Sequence, residues 1–124
     1  MPNGTLTYRR GEIWWVDLKP VVGRETDKER PCLILQNDVG NKSGATTIVA
    51  PLLPGMKRYP FVVNVTPTSQ NGLDGERHIN LSQIRAVDAR RIKNKQGILE
   101  NNYWEDIEKA VCIELGFSLA FRTT

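Results

Sequence analysis

The chain has 124 residues, 40% of them apolar and 25% charged, and its 17 basic and 14 acidic residues give a formal net charge of +3. This length predicts one domain over residues 1–124, and the composition excludes an intrinsically disordered protein. Its apolar runs are far shorter than the ~20 residues of a membrane span, and the amino terminus lacks the apolar core of a secretory signal. Since only two cysteines are present, we expect reduced thiols and a cytoplasmic protein without a membrane partner.

Short β-branched and aromatic runs separated by turn residues predict a mainly β protein. The predicted strands, in chain order, are Glu12–Leu18, Pro31–Gln36, Thr46–Leu53, Phe61–Thr66 and one or two within His78–Val87. Residues Asn37–Gly44 are rich in turn formers and predict a turn. Ala89–Gly97 is basic and poorly patterned, with at most a short strand near Arg91 and Ile92.

The carboxy-terminal segment predicts one helix, over Asn102–Leu115, with Asn101 or Asn102 as its cap. Its apolar residues recur at three- and four-residue spacing: Trp104, Ile107, Val111 and Leu115. We expect the first three of them to be buried against the strands. Several short strands and one terminal helix together favour a small β-barrel.

A charged loop, Lys19–Arg30, joins the first two predicted strands and carries seven charged side chains. It places Glu25 and Arg30 at the edge of the sheet. The planar guanidinium of an arginine can bind two phosphate oxygens at once, and a nearby carboxylate can act as a base or orient the arginine. The pair is therefore a candidate site for phosphate chemistry, and the alternative is a surface ion pair that contributes about 0–1 kcal/mol.

Metal and cofactor chemistry has little support in the sequence. The two cysteines lie far apart, His78 is the only histidine, and glycine-rich phosphate loops and calcium-binding loops are absent. We therefore expect neither a metal site nor a cofactor, and we interpret His78 as a structural or surface residue. Cleavage of RNA needs neither group, because the ribose 2′-hydroxyl is itself a nucleophile beside the phosphate.

The motifs of the chain, taken in order, resemble those of MazF/PemK-type toxins, which are endoribonucleases of type II toxin–antitoxin systems. The matching motifs, within Tyr8–Leu119, are RGEIWWVDL at 10–18, P-x-x-G-x-E at 20–25, RPCLILQND at 30–38, TTIVAP at 46–51, YPF at 59–61 and NLSQIRAVDARRI at 80–92. The resemblance implies an SH3-like small barrel with a carboxy-terminal α-helix. It also implies metal-independent, sequence-specific cleavage of single-stranded RNA by attack of the 2′-hydroxyl.

The same resemblance implies roles for particular residues. The arginine of the RP motif, which is the principal catalytic residue of the family, falls on Arg30, and Glu25 takes a supporting catalytic role. The substrate-binding roles fall on Lys28, Lys57, Gln83 and Arg85. If Gln83 and Arg85 lie on one strand, alternation places both side chains on the same face.

Position 53 departs from the family pattern. The family usually has a threonine or serine just after the IVAP-like strand, close to the scissile phosphate, where this chain has Leu53. Leucine cannot donate a hydrogen bond. An alternative interpretation is therefore a catalytically weak or inactive module that still binds RNA and an antitoxin. A gyrase-poisoning toxin on the same barrel is a third interpretation, which we rank last because the Arg30 segment resembles the ribonuclease branch.

The resemblance also implies partners: single-stranded RNA such as mRNA, a cognate antitoxin with an acidic disordered segment, and a second copy of the chain in a homodimer. A basic groove built across two copies would suit both RNA and an acidic segment. Two features stay open. The basic cluster within Arg85–Lys95 is either a phosphate-binding patch or a solvated face. Trp14 and Trp15 either stack on bases or belong to the core, with the core favoured for Trp14.

Overall fold

The computed structural model describes residues 8–20, 23 and 29–118. The strands and helices in this part of the chain are β1 Glu12–Asp17, β2 Glu29–Ile34, α1 Asp38–Ser43, β3 Thr46–Pro54, β4 Val62–Val65, β5 Arg77–Asn80, β6 Arg85–Asp88, β7 Ile92–Ile98 and α2 Trp104–Leu115. Short 3-10 turns precede β6, β7 and α2. Each predicted strand therefore has an observed counterpart, with ends that differ by a few residues.

All strand pairs are antiparallel, and β3 is the central strand. One edge of β3 pairs with β2, which continues through β1 to β7. The other edge pairs with β6 along Thr46–Val49 and with β5 along Leu52–Pro54, and β4 pairs with β5. Two partners share this edge, so the sheet divides into two branches instead of closing. The expectation of a closed barrel is therefore wrong for the described strands, while the mainly β class and the carboxy-terminal helix are confirmed.

The two faces of the sheet bury separate apolar clusters because side chains alternate along each strand. The helix-side face packs against α2 and includes Ile13, Leu33, Leu52, Ile79 and Ile107. The opposite face includes Trp14, Val16, Cys32, Ile34 and Val49. Trp14 is buried there, so the prediction that it is a core residue is confirmed. We call this second side the Cys32 face.

The helix α2 begins two residues later than predicted, after a 3-10 turn, Asn101–Tyr103. Neither asparagine caps it: the N-cap residue is Tyr103, which makes no capping hydrogen bond through its side chain. Glu105 and Asp106 in the first turn stabilise this end through the helix dipole.

Of the three residues of the α2 stripe that were predicted to be buried, only Ile107 is fully buried. Ile107 is buried, and Trp104 and Val111 are half-buried and pack against the helix-side cluster, but Leu115 is 50% exposed. Trp104 also lies under the guanidinium of Arg10, whose carbon is 4.1 Å from the ring centroid. No helix in the described residues is long and apolar enough to cross a membrane.

Two local predictions differ from the structure. Asn37–Gly44 contains a short helix, α1, because the Asn37 side chain accepts a hydrogen bond from the Gly40 N–H at 2.8 Å and caps it. The basic segment after β6 forms a seven-residue strand, β7, where only a short strand was expected. Irregular pairing between β1 and β7 interrupts the two-residue period that would have marked it in the sequence.

Candidate functional site

Arg30 lies near the start of β2, opposite Val16 of β1 and on the same face as Cys32. Its side chain is half-buried, and its Nε is buried without a hydrogen-bond partner among the described residues. An unsatisfied buried donor normally costs about 1–3 kcal/mol, so proteins keep few of them. The Arg30 guanidinium is thus held at the sheet with donor capacity unused.

Pairing registers connect Leu53, His78 and Asn64 in a row across three strands on the Cys32 face, and an extension of the β2–β3 register adds Arg30 to this row. The recorded pairing of β2 with β3 ends at Cys32 and Pro51. Extending this register by two residues would put Arg30 opposite Leu53. Leu53 pairs with His78 of β5, and His78 pairs with Asn64 of β4. Paired residues point to the same side of a sheet. Three strand spacings of about 4.8 Å separate the ends of this row by roughly 14 Å.

The far half of the row fixes the loop between β3 and β4, residues 55–61. His78 is buried, and its Nδ1 lies 3.0 Å from the Gly55 carbonyl oxygen, which can only accept, so the tautomer with a protonated Nδ1 is the one that bonds. The Gly55 N–H donates to the Glu76 carbonyl at 2.9 Å. The Asn64 amide accepts from the Lys57 N–H at 3.0 Å and donates to the Lys57 carbonyl at 2.8 Å. His78 therefore has a structural role, while the Lys57 side chain is exposed beside the row.

Arg85 also lies on the Cys32 face, because it pairs with Val49 of β3. Its Nη1 donates to the Leu18 carbonyl at 3.2 Å. Burial raises the pKa of the Cys32 thiol to about 12, and the positive charges of Arg85 and Arg30 oppose this shift. Both guanidinium groups therefore act electrostatically on the same thiol.

The basic cluster within Arg85–Lys95 is mostly engaged inside the molecule. Arg91 donates to the carbonyls of Asp17 and Lys19, which adjoin the Leu18 carbonyl held by Arg85. In the rest of the cluster, Arg90 pairs with Asp88 and Lys95 pairs with Glu12. Arg85 and Arg91 thus hold three consecutive carbonyls where the chain leaves β1 toward the charged loop. The sequence identified Arg91 only as part of this basic cluster, and its pattern gives no signal for this role.

Three predicted site residues remain: Glu25, Lys28 and Gln83. Glu25 and Lys28 lie outside the described residues. Gln83 lies in a 3-10 turn and not on a strand with Arg85, so the alternation argument for a shared face was wrong. The Asn80 side chain accepts from the Ser82 N–H and competes with strand pairing there.

In the part of the chain that the structure describes, no group of three or more histidine, cysteine, aspartate or glutamate side chains is arranged to hold a metal ion. Both cysteines are free thiols; Cys32 is buried and Cys112 half-buried.

Comparisons with known proteins agree with this fold. Residues 9–115 match the family described as PemK-like, MazF-like toxin of type II toxin–antitoxin system. The "Endoribonuclease MazF" of Staphylococcus epidermidis is 36% identical over 111 residues, which cover 89% of this chain and 92% of that protein. The solved structure of MazF from Deinococcus radiodurans has a TM-score of 0.78 at 22% identity and covers 90% of this chain and 99% of its own. An endoribonuclease from a mycobacterial species, solved in complex with its cognate antitoxin, has a TM-score of 0.73 at 21% identity and covers 90% and 97%.

Proposed function

Because the chain belongs to the family of PemK-like, MazF-like toxins of type II toxin–antitoxin systems, we propose that it is a cytoplasmic toxin that cleaves single-stranded RNA at a short sequence without a metal ion. The observation that carries this proposal is Arg30, whose guanidinium keeps a buried donor unpaired on the Cys32 face. Arg85 lies on the same face and adds positive charge near Cys32. Such a site suits a phosphate that gains negative charge during reaction.

The proposed reaction uses the ribose 2′-hydroxyl of the substrate. Its oxygen forms a bond to the adjacent phosphorus, the bond from phosphorus to the 5′-oxygen breaks, and the products carry a 2′,3′-cyclic phosphate and a 5′-hydroxyl. Arg30 stabilises the extra charge on the phosphorane through two parallel N–H donors. Glu25 is the carboxylate proposed to take the 2′-hydroxyl proton, and the departing 5′-oxygen takes up a proton from that acid or from water.

Substrate binding is proposed for Lys28, Lys57, Gln83 and Arg85. Arg85 uses one N–H on the Leu18 carbonyl, and a guanidinium has five N–H donors, so others remain for phosphate oxygens. Lys57 is held by its backbone and presents its ammonium group beside the row that begins at Arg30. The positively charged side chains of this set would bind the phosphates of the RNA. Such contacts position the RNA without reading its sequence.

RNA cleavage in the presence of EDTA tests this function. We expect the purified protein to cut a mixed RNA in EDTA at an undiminished rate and to leave 2′,3′-cyclic phosphate ends, since the substrate supplies the nucleophile and arginine supplies the charge. Gel analysis of the fragments and chemical analysis of their ends give the result. Cleavage that disappears in EDTA and returns with Mg²⁺ would contradict the metal-independent mechanism.

We also propose that the protein is a homodimer and that an antitoxin with an acidic disordered segment binds its groove. The mycobacterial endoribonuclease with a similar fold was solved with its cognate antitoxin, which supports such a partner. An acidic segment would be attracted by the same arginines that are proposed to attract RNA.

Light scattering tests the dimer. At micromolar concentration it should report about twice the mass of one chain, because a sheet of this size offers too short a groove to hold several nucleotides alone. A monomer that cleaves RNA at the full rate would contradict a groove shared between two copies.

Leu53 favours a second candidate function, a catalytically weak or inactive module that binds RNA and antitoxin. Extending the β2–β3 register puts Leu53 opposite Arg30, at the position where the family pattern has a threonine or serine hydroxyl. This module and the enzyme would bind the same partners, so only the cleavage rate distinguishes them.

A further inference from the structure

Tyr59 is an exposed aromatic residue that the fold holds in one orientation. Its ring is 56% exposed. It stacks on the half-buried Phe61, with ring centroids 5.2 Å apart and an angle of 7° between the ring planes. The backbone is fixed as well: the Tyr59 carbonyl accepts from the Val62 N–H at 3.1 Å, and the Phe61 carbonyl accepts from the Leu81 N–H at 2.9 Å.

The surroundings of Tyr59 are open and positively charged. An open depression of about 540 Å³ is lined by Met56, Lys57, Arg58, Tyr59 and Asn64. Lys57 and Arg58 are exposed, and neither forms an ion pair with another described residue. The depression adjoins Asn64, the far end of the row that begins at Arg30.

These features are the ones that sequence-tolerant sites for single-stranded nucleic acid combine: a rigid aromatic face for a base and cations for the adjoining phosphates. Here a second ring, that of Phe61, is stacked behind the exposed ring. With one face against Phe61, the ring can accept a base only on its opposite face. The sequence signal was present in Lys57–Phe61, where two basic residues precede two aromatic residues that flank a proline.

We propose that Tyr59 is the stacking platform for one nucleobase of bound single-stranded RNA, with Phe61 as its support and Lys57 and Arg58 as contacts for the neighbouring phosphates. This inference rests on the proposed function. Asn64 lies roughly 14 Å from Arg30 across the strands, several times the 3.4 Å rise of stacked nucleotides. The base on Tyr59 is therefore more than one nucleotide from the scissile phosphate, so Tyr59 acts on affinity and on the choice of cleavage site, and not on the chemical step.

The binding test uses a fluorescein-labelled 12-nucleotide 2′-O-methyl RNA of randomised sequence, which cannot be cleaved because its 2′-oxygen is blocked. In fluorescence anisotropy, Tyr59→Ala should weaken binding about 5- to 150-fold, the range expected for loss of one stacked base. Tyr59→Leu should weaken it similarly, because leucine keeps apolar surface but has no aromatic face. Tyr59→Phe should stay within about twofold of wild type.

Two matched controls separate stacking and charge from general surface effects. Phe117 is an exposed aromatic residue beyond α2, so Phe117→Ala should leave binding unchanged. Lys57→Ala should reduce the slope of log affinity against log salt by about 0.7, the value for one phosphate contact on a single strand. Lys109→Ala, which removes an exposed lysine of α2, should not.

A second measurement makes failure of this inference distinguishable from failure of the proposed function. Sequencing the fragments of a long RNA should show that Tyr59→Ala relaxes or shifts the choice of cleavage site while cleavage continues. Thermal melting checks that the Tyr59→Ala protein is folded. If that protein binds the oligonucleotide and selects cleavage sites as wild type does, the proposed role of Tyr59 is contradicted while the proposed RNA cleavage is not. If wild type binds the oligonucleotide through Tyr59 but cuts no RNA, the proposed role of Tyr59 is supported and the proposed RNA cleavage is contradicted.

Discussion

Arg30→Ala protein should be folded and should not cleave RNA. The guanidinium is the proposed source of charge stabilisation on the phosphorane, and losing one fully engaged transition-state donor typically costs about 10²–10³ in rate. Loss of both donors of a bidentate contact should therefore reduce cleavage below detection. Stability should not fall, because the substitution removes a buried Nε that has no hydrogen-bond partner in the described structure. Fragment formation in EDTA and thermal melts measure the two effects.

Arg30→Lys separates charge from geometry at the same position. An ammonium group keeps the charge but cannot bind two phosphate oxygens in a parallel fork, so this variant should also lose most of its activity. Arg9→Ala is a matched control, since Arg9 is an exposed arginine far from Arg30 along β2. Its chain neighbour Arg10 donates to the Leu35 carbonyl, just beyond the carboxyl end of β2. The Arg9→Ala protein should cleave at the wild-type rate. Undiminished cleavage by folded Arg30→Ala protein would overturn the mechanism.

Leu53→Thr should raise the cleavage rate, by up to about 10²–10³-fold, if a hydroxyl at this position donates to the phosphate. Extending the β2–β3 register by two residues puts residue 53 opposite Arg30 on the same face. The Leu53 side chain is half-buried, so the new hydroxyl would not lie in bulk water. Rates are read from RNA fragments formed in EDTA under single-turnover conditions.

The control for this substitution is Leu53→Val, because valine has the shape of threonine without its hydroxyl. The hydroxyl argument requires that Leu53→Thr exceed Leu53→Val. Equal gains in the two variants would mean that the smaller side chain merely relieves crowding beside Arg30. If wild type is inert and only the threonine variant cleaves, the natural protein is the binding module and not the enzyme.

The sequence by itself determined the elements of this protein and its family. Local apolar patterns, such as the alternation along β4 and the stripe that buries Ile107, depend on residues close in the chain, so they can be read without the fold. The order of motifs from residue 10 to residue 92 identified the family. That order also singled out Arg30, which the structure describes near the start of β2, a strand paired on both sides.

Only the tertiary structure decided how these elements form a site. The row from Arg30 to Asn64 depends on the registers of four strands, and register is set by pairing between distant segments. The Leu18 carbonyl is held by Arg85 from 67 residues away, a partnership that local patterning cannot encode. The division of the sheet at β3 follows from two strands sharing one edge, which composition and periodicity do not reveal. Tyr59 became a candidate only when the stacked Phe61 and the fixed loop showed how its ring is held.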